Sequence, residues 1–122
     1  MPQIRPNIGV EYTEHAAIVV INKEKLLEGG DIRLLEESIM NLIDQGGRIN
    51  LILDFRNVKF LSSAVLGLLI RIRKRIYDKQ GQLRLCNINP RNYEVFEITG
   101  LISIFDIYTD LESAKADLSL TN

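Results

Sequence analysis

The chain is poor in the residues that build covalent, metal or redox frameworks. Its 122 residues include one cysteine, Cys86, one histidine, His15, and no tryptophan. A lone cysteine excludes an intrachain disulfide framework, and one cysteine with one histidine excludes the ligand sets of structural zinc. No metal and no cofactor are expected. A dominant charge sign is also missing: fifteen Lys and Arg against sixteen Asp and Glu give a formal net charge of -1. That balance argues against a surface built to neutralise nucleic-acid phosphates. No apolar run approaches the ~18 residues of a membrane span. The opening MPQIRPNIG lacks the apolar segment of a secretory signal. Nucleic acid and membrane are therefore not expected partners, and the cytoplasm is the expected location.

What is present is 46% hydrophobic and 25% charged residues, the mix of a soluble globular domain. A chain of this length buries enough surface to fold without a staple. Residues 1–7 hold two of the three prolines and read as a loose lead-in. Residues 8–118 read as one domain and 119–122 as a tail.

Ile8 to Tyr12 alternates apolar and other residues, and residues 16–21 are β-branched and nearly continuous. Separated by Glu14 and His15, they predict a hairpin. Residues 22–30 read as a connector, with Asp31 as the N-cap of a helix. Ile32, Leu35, Ile39, Leu42 and Ile43 supply that helix with one apolar face. Residues 49–55 predict a buried strand ending near Asp54. A long helix follows Ser62, Ser63 and Ala64, with Val65, Leu68, Leu69, Ile72 and Ile76 inward and Arg71, Lys74 and Arg75 on a solvated face. Gly81 closes it. Leu66, Ile70, Arg73 and Tyr77 form a second stripe, suited to a neighbouring helix or to a partner. Residues 83–86 predict a further strand, with Cys86 acting as a small hydrophobe. Asn89 and Pro90 start a third helix. Residues 104–108 predict the last strand, and Thr109 to Glu112 has the capping-box spacing before a last helix with Leu111, Ala114 and Leu118. This order makes an α/β fold: a mixed sheet, antiparallel in its opening hairpin and parallel elsewhere, with about four helices packed on it.

Crossover geometry brings the helix starts near Asp31, Ser63 and Asn89 to the carboxyl edge of the sheet, the usual binding edge of such folds. Free N–H groups at helix starts favour negative charge there. On local pattern alone Ser62 and Ser63 read as helix capping. A nucleophilic serine needs a base within reach. His15 belongs to the hairpin turn at the other end of its strand, and the G-x-S-x-G elbow is absent. No P-loop spacing is present either. No catalytic residue is assigned. Asp54 reads as a carboxylate that either orients the adjoining loop or faces solvent.

The stretch Leu53-Asp54-Phe55-Arg56-Asn57-Val58-Lys59-Phe60-Leu61-Ser62-Ser63-Ala64-Val65-Leu66-Gly67 resembles the signature of STAS domains, the sulfate-transporter and anti-sigma-antagonist family. That signature is an apolar strand ending in Asp, a short loop, then Asp-Ser-Ser-Gly-Leu-Gly opening a long helix. Gly30-Asp31, Leu83 to Asn87 with Pro90, Thr99-Gly100-Leu101 and Phe105 to Tyr108 extend the resemblance over about residues 8–118. It implies a non-enzymatic anti-sigma factor antagonist, switched by phosphorylation. Its partners would be an anti-sigma factor that is also a serine kinase, and a PP2C-type phosphatase for the phosphorylated form. A monomer or weak dimer is implied; the alternative is a STAS scaffold subunit of a larger signalling assembly. Aligned on Asp54 and Gly67, the phosphoacceptor falls on Ser63, with Ser62 as fallback. Ser62 then stands at the family's Asp, Ala64 at its second Ser and Val65 at its Gly. Asp31, Ser62, Ser63, Ala64, Leu66 and Gly67 are the implied partner-binding residues.

Overall fold

The computed structural model describes residues 7–46, 49–116 and 118. Apart from Asn7, the expected lead-in lies outside the described residues, as does the tail at 119–122. Strand β1 (Ile8–Tyr12) turns through Thr13 and pairs antiparallel with β2 (Ala17–Ile21). The turn is closed locally: Thr13 N–H donates to the Ala16 carbonyl at 2.8 Å and Ala16 N–H donates to Thr13 Oγ1 at 3.0 Å. Next come β3 (Lys25–Leu26), α1 (Gly29–Asp44), β4 (Leu51–Asp54), β5 (Phe60–Leu61) and α2 (Ser63–Asp78). The chain closes with β6 (Leu83–Cys86), α3 (Pro90–Ile98), β7 (Asp106–Tyr108) and α4 (Leu111–Lys115). The main sheet has the order β1-β2-β4-β6-β7, and all its pairs after the hairpin are parallel. The mixed sheet and four helices are those the residue pattern predicts.

One sheet face carries most of the core. Val19, Leu51, Leu53 and Leu85 pack under Leu35, Ile39 and Ile43 of α1 and Val65, Leu68, Leu69, Ile72 and Ile76 of α2. Each such side chain contributes about 1.5–3 kcal/mol when fully buried. Phe96 and Phe105 close one end edge to face, 6.0 Å between ring centres. The other face is thinner, with Ile18, Ile52 and Cys86 under Ala114 and Leu118. There the buried Arg84 reaches across to α4, its guanidinium donating to the carbonyls of Ala114 (2.9 Å) and Ala116 (2.6 Å). A cation at the carboxyl end of a helix satisfies carbonyls that have no partner within it.

Several local expectations are corrected. Asp31 is not the N-cap of α1: the extended Glu28 is, and Asp31 sits in the first turn, where its charge favours the helix start. The connector at 22–30 and the loop after Asp54 each hide a short strand, because β3 and β5 pair with each other across 35 residues, Lys25 against Phe60. Gly81 does not supply the left-handed residue after α2; Gln80 does, at φ 65°. Gly81 is needed for space, since a Cβ there would lie 1.6 Å from the Ile49 carbonyl oxygen. Arg71 and Arg75 are not merely solvated. They form ion pairs with Glu36 and Asp44 of α1, each at 2.7 Å, partners too distant in sequence for a helical pattern to reveal. Residues 101–103 form a 3-10 turn, so the last strand is shorter than 104–108. Asp110, not Thr109, caps α4, accepting from Ser113 N–H at 2.8 Å.

Candidate functional site at the carboxyl rim

The parallel strands end at Ile21, Asp54, Cys86 and Tyr108, so their carboxyl ends form one rim. The starts of α1, α2, α3 and α4 follow from these ends. Ser62 is extended (φ -94°, ψ 167°) and caps α2 by position only, because its side chain makes no capping bond. Its Oγ is buried without a hydrogen-bond partner. Ser63 is the first helical residue and is exposed, as is Ala64. The two hydroxyls are therefore not equivalent: one is shut in, the other faces solvent.

The segment carrying these serines is held from several sides. Ser62 N–H donates to the Leu26 carbonyl at 3.0 Å, and Lys59 and Phe60 N–H both donate to the Glu24 carbonyl. From the α3 side, Asn89 Nδ2 donates to the Lys59 carbonyl at 3.1 Å while Asn89 Oδ1 accepts from Asn92 N–H at 2.8 Å. The buried Asn92 Nδ2 donates to the Val58 carbonyl at 3.3 Å. The guanidinium of Arg91 lies 4.9 Å from the centre of the Phe60 ring.

Asp54 anchors the start of the same loop. It is fully buried, and its carboxylate accepts from Arg56 N–H (2.9 Å), from the Arg56 guanidinium and from Asn87 Nδ2 (3.0 Å). Burial opposes its ionisation, but the hydrogen bonds from Arg56 and Asn87 and the Arg56 charge prevail, holding the carboxyl below its ordinary range. Of the two readings left open for Asp54, the loop-bonding one holds. Next to it, burial and then the Asp54 charge push the Cys86 thiol up to about 12, leaving it protonated and inert.

The other implied site residues are distributed unevenly. Asp31 is half-buried and pairs with Lys23 at 3.5 Å. Gly67 is half-buried on α2. Leu66 is 3% exposed and belongs to the core, so its side chain supports the helix rather than meeting a partner. Of its stripe, Ile70 and Tyr77 are exposed, and Arg73 stacks on Tyr77 while donating to the Ile104 carbonyl at 3.1 Å. His15 lies in the β1–β2 turn at the opposite rim, beyond reach of either serine. Asn87 and Asn92 escaped the sequence reading. The signal was available: three asparagines within residues 87–92 exceed what one helix cap requires.

Comparison with known proteins agrees with this fold. The STAS domain model matches residues 9–114. The chain is 37% identical over 82 residues to BtrV of Bordetella bronchiseptica, named as a candidate anti-sigma factor antagonist, covering 67% of this chain and 70% of that one. It is 28% identical over 111 residues to the anti-sigma-B factor antagonist of Bacillus subtilis, covering 91% and 95%. Among solved structures, the anti-sigma-factor antagonist domain protein of Planctomyces limnophilus superposes with TM-score 0.80 at 19% identity, covering 92% and 97%. The phosphorylated form of the Bacillus cell fate determinant SpoIIAA gives TM-score 0.65 at 21% identity, covering 88% and 96%. The protein belongs to the STAS domain family, on the branch of bacterial anti-sigma factor antagonists. Among the described residues no helix is long and apolar enough to cross a membrane.

Proposed function

We propose that this protein antagonises an anti-sigma factor that is also a serine kinase, and that phosphorylation of Ser63 ends the interaction. The protein carries no catalysis of its own, and a PP2C-type phosphatase resets it. The observation that carries this reading is the contrast at the start of α2. Ser63 offers an exposed hydroxyl on a segment fixed by β3 and α3, whereas the Ser62 hydroxyl is buried. That contrast favours Ser63 over Ser62 as acceptor. The contact surface is then Ser63, Ala64 and Gly67, with Ser62 and Asp31 at its margin.

The physics needs no change of fold. A phosphoryl group adds about -1.5 to -2 charges at neutral pH. At a helix start this is tolerated, because the exposed N–H groups and the helix dipole favour it. Within an interface the same charge must be desolvated or paired, at several kcal/mol, and about 1.4 kcal/mol is tenfold in affinity. Three cations of this rim already hold carboxylates: Lys23 pairs with Asp31, Lys59 with Glu24 and Arg56 with Asp54, while Arg91 lies over the Phe60 ring.

The test is incubation with the cognate kinase and ATP, followed by phosphopeptide mapping. One phosphoryl group on Ser63 is expected; modification at Ser62 alone overturns the assignment. In calorimetric titrations Ser63→Ala should keep binding the anti-sigma factor and resist release, while Ser63→Asp should bind tenfold or more weakly with an unchanged melt. Ser63→Asp binding as tightly as the native chain would refute the switch.

A further inference from the structure

Five residues of α2 recur at steps of four and three: Ser63, Gly67, Ile70, Lys74 and Tyr77. That spacing sets them in one row along the helix, about 21 Å from end to end at the usual rise per residue. The row faces away from the core. Ser63 and Lys74 are exposed, Gly67 is half-buried, and the large apolar side chains of Ile70 and Tyr77 are 43% and 45% exposed. The exposed Ile104 borders the row, because Arg73 stacks on the Tyr77 ring, 4.3 Å from its centre, and donates to the Ile104 carbonyl. The proposed phosphoacceptor thus stands at one end of a row whose other end is an apolar patch.

Charge along the row has one sign. From Ser63 to Tyr77, α2 carries Arg71, Arg73, Lys74 and Arg75 and no acidic residue. Glu36 and Asp44 of α1 take up Arg71 and Arg75. Lys74 meets the exposed Asp78 of its own helix, and Arg73 meets no carboxylate among the described residues. Gly67 is an independent sign. Glycine inside a helix is destabilising relative to alanine, and nothing within the single chain requires it there. Its φ is not positive, and a Cβ would meet only Arg71 Nη1 at an ordinary 3.6 Å. The missing side chain leaves a notch in the row between Ser63 and Ile70, where another backbone can come close.

We propose that the anti-sigma factor lays an amphipathic helix along this row. Its apolar residues cover Ile70, Tyr77 and Ile104, its flanking Asp or Glu residues meet Arg73 and Lys74, and its backbone comes closest at Gly67. This inference rests on the antagonism proposed above and extends that contact surface from the start of α2 over the whole helix. A helix fits because steps of four and three average to the 3.5-residue repeat at which two helices stay in register. A second copy of this chain fits poorly, since it would set one basic row against another. Arginine and tyrosine are the residues that most often anchor interfaces, and Arg73 is already held in place by Tyr77 and the Ile104 carbonyl, which lowers the entropy lost on binding. A phosphoryl group on Ser63 then adds charge of the same sign as the partner's acidic flanks.

The test is calorimetric titration of the full chain with the kinase that phosphorylates Ser63. Ile70→Glu and Tyr77→Glu should each weaken binding about tenfold or more with unchanged melts, and Lys74→Glu about three- to tenfold. Tyr12→Glu, at an exposed tyrosine on the β1 edge of the sheet, should bind as the native chain does. Gly67→Leu should melt higher than the native chain yet bind about tenfold more weakly or worse, and these opposite directions separate docking from folding. Tyr77→p-benzoylphenylalanine should photo-cross-link to a partner helix that carries acidic residues. Native-strength binding by Ile70→Glu, Tyr77→Glu and Gly67→Leu overturns the inference, as does equal weakening by Tyr12→Glu or a cross-link from position 77 to a second copy. Those outcomes, with Ser63 still phosphorylated and Ser63→Asp still weak, leave the switch standing; Ser63→Asp binding tightly overturns the switch and this inference with it.

Discussion

The two rims of the main sheet are closed by different means. At the amino rim one close backbone approach and one side-chain amide do the joining. Gly81 leaves no room beside the Ile49 carbonyl, and the buried Asn50 bridges neighbouring strands, its Nδ2 donating to the His15 carbonyl (3.0 Å) and its Oδ1 accepting from Gln82 N–H (3.0 Å). At the carboxyl rim a network of side chains adds to the backbone bonds between β3 and β5. Asp54, Asn87, Asn89 and Asn92 tie the loop after β4 to β6 and α3. A neutral amide suffices where two backbone groups must be matched. A carboxylate serves where several N–H donors converge, because each added donor favours its charged form. The difference teaches what each rim does: the amino rim fixes the strand starts by one close approach and one amide beneath an open cavity lined by His15, Ile49 and Asn50, whereas the carboxyl rim ties down a loop and leaves Ser63 exposed.

Breaking the amino rim should cost most. Gly81→Ala forces a Cβ into the Ile49 backbone and should lower stability by about 3 kcal/mol or more, read by denaturant unfolding. A cost under about 1 kcal/mol would mean that this rim yields and the contrast fails. Asp54→Ala should rank second, at about 2–3 kcal/mol, since it leaves Arg56 N–H and Asn87 Nδ2 without their acceptor.

The Asp54 contribution should also depend on pH. Its folded pKa lies below the ordinary 3.8, so its stabilisation is complete above 3.8 and is lost as pH falls from there through the folded value. The stability difference between the native chain and Asp54→Ala should accordingly be flat at neutral pH and shrink in acid. A difference that grows in acid would reverse the assigned sign.

Smaller effects sharpen the comparison within the carboxyl rim. Asn89→Ala removes a cap that is in use, together with the bond to the Lys59 carbonyl, and should cost about 1–2 kcal/mol. Ser62→Ala removes a hydroxyl that caps nothing and should change stability by no more than about 0.5 kcal/mol. Equal losses in thermal or denaturant melts would show that both residues cap alike.

Much was legible in the residues themselves. Hydrophobic spacing of 2 and 3.6 marks the long elements because each must bury one face, and Asn89 followed by Pro90 marks the start of α3 by local bonding alone. The stretch from Leu53 to Gly67 also contains the candidate site, since a strand end, a loop and a helix start are contiguous in sequence. The sequence by itself thus determined the mixed α/β fold, the family and the pair of serines at a helix start. Only the tertiary structure decided what depends on distant partners. It set β3 against β5, joined Arg71 and Arg75 to α1, moved the start of α1 ahead of Asp31 and buried Leu66. It also separated Ser62 from Ser63. Adjacent residues of one type share a local propensity, and their exposure differs because the packed fold buries the Ser62 hydroxyl and leaves Ser63 in water.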